Sequence, residues 1–229
     1  MIKAVIFDLD NTLVDFFHMK NQAIDSAIDG MINSGLIIDR KIAKNQIFDI
    51  YEKKGYEYQE VLNQFIISVN GFIDYKILAA GIVCYRRAKE KSLRTYPKVN
   101  STLNNIKKLG LKLGLITDAP SREAWTRLYS VKIHNSFDKV VTSDDTNTFK
   151  PNPEPFNLIL KYFNISPNEA VMVGDWPERD LDGARSVGIK TAFAKYGASD
   201  LNEEQYCNSD VILNSISEIF DYVNLVNSK

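Results

Sequence analysis

A short apolar run that ends in two aspartates is the feature that most constrains this fold. Residues 4–7, Ala-Val-Ile-Phe, form a continuous run rich in β-formers and lead directly into Asp8-Leu9-Asp10. This pattern predicts a strand of a parallel sheet that is buried on both faces. Ligands of open α/β sheets bind outside the carboxyl ends of the strands. We therefore expect Asp8 and Asp10 to lie at a functional site.

The two carboxylates stand two residues apart on an extended chain, so they project to the same side. Their negative charges repel each other unless something positive lies between them. A divalent cation would relieve this repulsion, whereas the plainer interpretation is that the aspartates only end a strand and open a turn. The sequence favours a metal site.

Composition indicates a small partner. The chain has 229 residues and a formal net charge of −1, with Lys and Arg nearly balancing Asp and Glu. This gives no electrostatic case for a nucleic acid or an anionic membrane as partner. Neither a signal peptide nor a membrane span fits the apolar runs, so we expect a cytoplasmic protein. We interpret Cys84 and Cys207 as partly buried apolar side chains of a reducing compartment.

Apolar residues recur at helical spacing between residues 15 and 95, and no convincing strand interrupts them. Four amphipathic helices are predicted, separated by the turn signals Ser34-Gly35, Lys54-Gly55 and Asn70-Gly71. Such helices with short loops are typical of an antiparallel bundle. The sequence therefore predicts an all-helical domain at residues 15–95, inserted into an α/β domain formed by residues 1–14 and 96–229.

Helices and strands alternate from Pro97 onward, which indicates a parallel α/β sheet. Strands are predicted at residues 111–116, 139–142, 170–174, 191–194 and 211–213, and helices around residues 103–109, 122–128, 153–160 and 178–187 and at the end of the chain. Asn152 is expected to cap a helix that begins at Pro153.

The polar residues that follow these strands are expected to converge. Thr117 and Asp175 each end an apolar strand, and Lys150 lies in a proline-flanked loop. The carboxyl ends of parallel strands share one edge, so groups more than a hundred residues apart can meet there. Carboxylates, a hydroxyl and an ammonium group suit a hard cation together with a phosphate.

These residues resemble a known family. Asp8-Leu9-Asp10-Asn11-Thr12, Thr117, Lys150-Pro151-Asn152-Pro153 and the segment 174–184, Gly-Asp-Trp-Pro-Glu-Arg-Asp-Leu-Asp-Gly-Ala, are similar in order and context to the four motifs of the haloacid dehalogenase superfamily. The resemblance implies a Rossmann-like three-layer α/β core with a parallel sheet. It also implies that the helical insert after the first motif is the superfamily's cap.

The same resemblance implies a phosphatase that uses Mg²⁺ and forms an aspartyl-phosphate on Asp8. Asp10 would serve as general acid and base. The other implied roles are Mg²⁺ ligation by Asp8, Asp175 and the backbone of Asp10, binding of phosphoryl oxygens by Thr117, Lys150 and the N–H groups of Leu9 and Asp118, and support of the metal site by Asp180. Asp144, Asp145 and Asp182 are expected to be surface or capping residues.

Several alternatives stay open at this point. A phosphomutase shares the motifs, a haloacid dehalogenase shares the fold, and a non-catalytic interaction module is a further class; Asp10 and Asp175 argue against the dehalogenase. The sequence departs from the motifs at Asn11, where glycine is frequent, and at Trp176, where a small polar residue is common. The side chains that could select a substrate from the cap are Phe16, Phe17, His18, Lys20, Arg86 and Arg87. Packing within the cap is the favoured interpretation of the aromatic residues, and a solvated helix face is the favoured interpretation of the basic ones. A monomer or a homodimer is expected.

Overall fold

The computed structural model describes residues 1–198 and 208–228. The chain divides into two compact units, an α/β unit formed by Met1–Asp15 and Arg94–Lys229 and a helical unit formed by Phe16–Leu93. This division differs from the expected boundaries at Asp15, Arg94 and Thr95, which belong to the α/β unit. The two crossing segments pair there, since the Asp15 N–H donates to the Arg94 carbonyl at 3.0 Å and the Arg94 guanidinium donates to the Asp15 carboxylate at 3.0 Å.

The α/β unit is built on one six-stranded sheet in which every neighbouring pair is parallel, as the sequence predicts. The strand order is β3-β2-β1-β4-β5-β6, so the first strand lies in the middle. The strands are β1 Ala4–Phe7, β2 Lys112–Ile116, β3 Lys139–Val141, β4 Ala170–Gly174, β5 Lys190–Ala194 and β6 Val211–Leu213.

The register of the central strands aligns their carboxyl ends. Phe7, the last residue of β1, is opposite Leu115 of β2 and Val173 of β4. Asp8 therefore follows β1 at the level where β2 and β4 also end. This order, with connections that reverse direction on either side of β1, creates the crevice in which doubly wound sheets bind ligands.

The helical unit contains the four predicted helices and encloses its own apolar core. The helices are α1 Phe16–Asn33, α2 Arg40–Lys54, α3 Val61–Asn70 and α4 Tyr75–Ser92. Side chains of all four helices, among them Ile28, Ile47, Phe65 and Ile77, form one buried cluster. Cys84 lies in α4, is half-buried and has a free thiol, whereas Cys207 lies outside the described residues.

The α-helices described in the α/β unit are α5 Val99–Lys108, α6 Ser121–Ser130, α7 Ser143–Thr146, α8 Pro153–Phe163, α9 Asp182–Ser186 and α10 Glu218–Asn227. Asn152 caps α8 as predicted, because its side chain accepts from the Glu154 N–H at 2.9 Å. The single-turn helix α7 was not predicted. Thr142 and Asp145 form a capping box at its start, in which each side chain bonds to the backbone of the other residue. Among the described residues, no helix is long and apolar enough to cross a membrane.

One predicted helix differs in form. In place of a continuous helix over residues 178–187, the chain makes a π-helical turn at Pro177–Leu181 and only then enters α9. The wider turn coincides with the inward placement of Asp180, whose side chain is 2% exposed and bonded to Lys150. π-Helical turns inside α-helices are frequent at functional sites.

We expect the substitution Ile28→Ala to destabilise the helical unit by about 2–5 kcal/mol, because it removes a fully buried side chain from its core. The measurement is the free energy of unfolding in urea. Ile37→Ala is the matched control, since that side chain is 93% exposed, and it should change stability by no more than about 0.5 kcal/mol. Equal effects of the two substitutions would contradict the assigned core.

Candidate active site

A tight loop after β1 presents Asp8 and Asp10. The Asp8 N–H donates to the Val173 carbonyl at 2.9 Å, which joins this loop to the end of β4. Asn11 has φ 61°, a left-handed conformation that Asn tolerates, and its N–H donates to the Val14 carbonyl at 2.7 Å. Asparagine at position 11, where the motif frequently has glycine, is therefore compatible with this turn. A Cβ on Gly197 would lie 1.6 Å from the Asn11 carbonyl oxygen, so only glycine fits beside this loop.

Lys150 forms ion pairs with two buried carboxylates. Its ammonium group donates to the Asp8 carboxylate, to Asp180 Oδ1 at 2.6 Å and to the Ile116 carbonyl at 3.3 Å. The residue is only 4% exposed. Burial opposes the positive charge, but the charges of Asp180 and Asp8 outweigh it and raise the pKa of Lys150. Lys150 is therefore a fixed cation at the carboxyl end of the sheet.

Three aspartates converge beside this lysine. One carboxylate oxygen from each of Asp8, Asp175 and Asp180 can be chosen so that all three lie within 4.8 Å of one another. Burial raises the pKa of Asp8 to about 8, despite the opposing Lys150, and it also raises the pKa of Asp175 well above its ordinary value. Neighbouring carboxylates add to both shifts. Bringing these groups together therefore costs electrostatic free energy in the absence of a cation.

The donor set fits a hard divalent cation. Lys150 balances one of the three carboxylates, which leaves two negative charges in a buried cluster of oxygen atoms when all three are ionised. Mg²⁺ takes oxygen ligands from a few carboxylates and completes its coordination with water or substrate oxygens. Asp175 is oriented for such a role, because the Thr12 hydroxyl donates to its Oδ1 at 3.0 Å.

The loop after β2 is tied to the Lys150 loop. Thr117 is 3% exposed, and its hydroxyl oxygen accepts from the Ala119 N–H at 3.1 Å. Asp118 accepts from the Lys150 N–H at 2.8 Å and from the Arg179 guanidinium at 3.1 Å. The side chain of Asp118 thereby links three segments that follow different strands, a role in addition to the N–H predicted from the sequence.

The segment after β4 places Asp180 and leaves Trp176 accessible. The Trp176 N–H donates to Asp180 Oδ2 at 3.0 Å, and a Cβ on Gly174 would lie 2.3 Å from that same oxygen. Gly174 is thus required for the close approach of the Asp180 carboxylate. Trp176 is 45% exposed, and the Arg179 guanidinium lies 4.3 Å from its ring centroid. Asp180, which the sequence suggested only as a support, has direct contact with Lys150.

Asp10 has a partner that sequence reasoning missed. Its Oδ2 accepts from Arg127 Nη1 at 2.7 Å, and the Arg127 side chain is only 3% exposed. The available signal was the helical spacing of Ala124, Arg127 and Leu128, which puts a cation on the buried face of α6. Leu9, between the two aspartates, is fully buried.

The residues of the helical unit that were suggested to select a substrate differ in their burial. Lys20 is 5% exposed and donates to the Tyr56 carbonyl at 2.7 Å, with its ammonium group 4.1 Å from the centre of the Tyr51 ring. It belongs to the interior of the unit, contrary to the alternative that it lies on a solvated face. Arg86 and Arg87 are exposed, whereas Phe16 is buried and Phe17 and His18 are half-buried.

The three aspartates that the sequence suggested as surface or capping residues, Asp144, Asp145 and Asp182, have local contacts of that kind. Asp145 caps α7 together with Thr142, and Asp144 accepts from the Ser121 N–H at 2.8 Å. Asp182 forms an exposed ion pair with Arg185 at 2.7 Å.

Comparisons with known proteins agree on one family. A model of haloacid dehalogenase-like hydrolases matches residues 5–194. The chain is 36% identical to the glyceraldehyde 3-phosphate phosphatase of Methanocaldococcus jannaschii, over 97% of each chain. It is 27% identical to the pyrophosphatase PpaX of Bacillus mycoides, over 99% of each chain. A crystal structure of a HAD phosphatase from Thermococcus onnurineus superposes with a TM-score of 0.72 at 24% identity, covering 97% of this chain and 98% of that one.

We expect the stability of the metal-free protein to fall as pH rises from about pH 5 to about pH 8. With its pKa raised to about 8, Asp8 is expected to keep its proton in the folded state up to that pH, whereas an unfolded chain loses it at about pH 3.9. The folded state therefore binds more protons in this window, and each such carboxyl contributes a slope of up to about 1.4 kcal/mol per pH unit. Urea unfolding with a chelator at several pH values measures this slope.

Asp8→Asn removes one of the titrating groups and should make the slope shallower. The control is Glu178→Gln, which changes an exposed carboxyl near the same site and should leave the slope as in the wild type. Stability that stays level or increases over this pH range would contradict the assignment of raised pKa values to the buried carboxyls.

Proposed function

The chain belongs to the haloacid dehalogenase-like hydrolase family and is a phosphatase of small phosphorylated metabolites; we propose that it works with Mg²⁺ and through an aspartyl-phosphate on Asp8. The observation that supports this proposal is the buried cluster of Asp8, Asp175 and Asp180 beside the Lys150 ammonium group. A divalent cation offsets its excess negative charge, and Lys150 is left to attract a phosphate.

Asp8 is the nucleophile of the proposed first step. A carboxylate oxygen of Asp8 forms a bond to phosphorus while the bond between phosphorus and the leaving oxygen breaks. Asp10 gives a proton to that oxygen, so the leaving group departs as an alcohol. Asp8, Asp175 and the Asp10 carbonyl, with Asp180 in support, would hold Mg²⁺, which would supply positive charge that reduces the repulsion between nucleophile and phosphate.

Water completes the reaction in the proposed second step. Asp10, now a carboxylate, takes a proton from the water molecule that attacks phosphorus, and Asp8 is released with inorganic phosphate. Lys150, the Thr117 hydroxyl and the N–H groups of Leu9 and Asp118 hold the phosphoryl oxygens throughout. Thr117 and Lys150 are suited to this because both are buried and fixed by neighbouring backbone groups.

We propose that the helical unit acts as the cap that selects the substrate. It is inserted between β1 and β2, directly after the segment that holds Asp8 and Asp10, and it encloses its own core. A triose phosphate is the proposed substrate type, on the strength of the archaeal relative that matches over nearly the full length of both chains.

The substitution Asp8→Asn should lower the rate of aryl phosphate hydrolysis by more than about 10⁴-fold, because no covalent route remains without the nucleophile. The measurement is release of p-nitrophenol at saturating Mg²⁺, with a parallel assay after removal of metal by a chelator. Glu178→Gln is the control and should retain wild-type activity. Metal-independent turnover, or an active Asp8→Asn protein, would refute the aspartyl-phosphate mechanism.

The value of kcat/KM for glyceraldehyde 3-phosphate should exceed that for pyrophosphate by at least about tenfold. This ratio is equivalent to about 1.4 kcal/mol of transition-state stabilisation. Pyrophosphate has a second charged group that needs a cation, but the arginines near the site, Arg127 and Arg179, already pair with Asp10 and Asp118. Phosphate release from both substrates under matched Mg²⁺ measures the ratio. Faster turnover of pyrophosphate would instead favour the function named for the Bacillus relative.

A further inference from the structure

A buried arginine contacts the proposed acid and base. Arg127 and Asp10 are 117 residues apart in sequence, yet Arg127 Nη1 donates to Asp10 Oδ2 at 2.7 Å. The Arg127 side chain is 3% exposed, whereas the Asp10 side chain is 23% exposed. A guanidinium group is rarely buried to this degree unless it is paired, because the charge loses its hydration. The mechanism described above gives this arginine no role.

The fold brings the two residues together through adjacent strands. Strands β1 and β2 are paired in register, so the loop after β1 and the segment that leads into α6 begin at the same edge of the sheet. Ala124 and Leu128 are fully buried beside Arg127 on the inward face of α6. Arg127 is thus buried on the inward face of α6, and its guanidinium group is directed at the Asp10 carboxylate.

We propose that Arg127 is a positioning residue that fixes the orientation of the Asp10 carboxyl for proton transfer. This inference rests on the proposed function, since it assumes that Asp10 gives a proton to the leaving group. An aspartate whose side chain is 23% exposed and has two torsions can adopt several rotamers, and a strong charge-assisted hydrogen bond selects among them. Misplacing a reacting group by about 1 Å costs on the order of 10²-fold in rate.

Arg127→Met tests the inference, because methionine keeps most of the buried stem and removes the guanidinium. We expect kcat for the hydrolysis of glycerol phosphate to fall by about 10²-fold, while KM for this substrate changes by less than about threefold. Arg127→Lys, which retains a cation, should recover part of the loss. Arg122→Met is the matched control on the same helix, since its guanidinium side chain is 79% exposed and pairs with Glu123, and it should leave kcat unchanged.

The leaving group provides a readout that a merely structural role would not affect. The value of kcat/KM reports events up to departure of the leaving group, and p-nitrophenolate departs without a proton whereas an alkoxide needs one. Arg127→Met should therefore reduce kcat/KM much more for glycerol phosphate than for p-nitrophenyl phosphate. An equal loss for both substrates would overturn the proposal, and so would an unchanged kcat.

A double-mutant cycle separates this proposal from the one it rests on. If Arg127 acts through Asp10, the protein with both Asp10→Asn and Arg127→Met should be no slower than the Asp10→Asn protein, because the two side chains work as a unit. Additive losses would overturn the positioning role. An active Asp8→Asn protein would refute the aspartyl-phosphate mechanism whatever the cycle shows. Circular dichroism and melting of each variant check folding, and Arg127→Lys keeps the test valid if Arg127→Met does not fold.

Discussion

The active site depends on one electrostatic constraint, the burial of three carboxylates around the ammonium group of Lys150. Lys150 donates to Asp8 and Asp180, and Asp175 lies close enough for all three aspartates to share one ion. Buried charges are tolerated only when they are paired, and here Lys150 balances one carboxylate and leaves two negative charges when all three aspartates are ionised. This excess of negative charge favours the binding of a divalent cation, as the proposed Mg²⁺-dependent phosphoryl transfer requires.

Many contacts in the surrounding structure fix the positions of Lys150 and the three aspartates. Asp118 accepts from the Lys150 N–H, which fixes the loop that precedes α8, and the Thr12 hydroxyl orients Asp175. Gly174 leaves the space that the Asp180 carboxylate fills. These contacts join loops that follow β1, β2 and β4 and the loop before α8, so the four sequence motifs act as one structural unit. A single misplaced loop would leave a buried charge without its partner.

The sequence reveals the sheet and the carboxylates because their signals are local. The apolar runs before Asp8 and Asp175 predict β1 and β4, and Asn152-Pro153 predicts where α8 begins. Arg127 and the π-helical turn could not be found in the same way. Arginine on an amphipathic helix is usually solvated, and its pairing with Asp10 depends on two strands being neighbours. The turn at Pro177–Leu181 depends on a contact between Asp180 and Lys150, which is tertiary.

Asp8 and Asp10 are the first and last residues of one tripeptide, but they have different cationic partners. Asp8 is held by Lys150 from the loop before α8, whereas Asp10 is held by Arg127 from α6. A nucleophile must stay ionised and close to the phosphate, and an acid–base group must face the leaving oxygen and later the water. Separate cations on separate elements allow each carboxyl to be oriented independently. The fold thereby gives two chemically identical side chains distinct surroundings, which is what the proposed two-step transfer requires of Asp8 and Asp10.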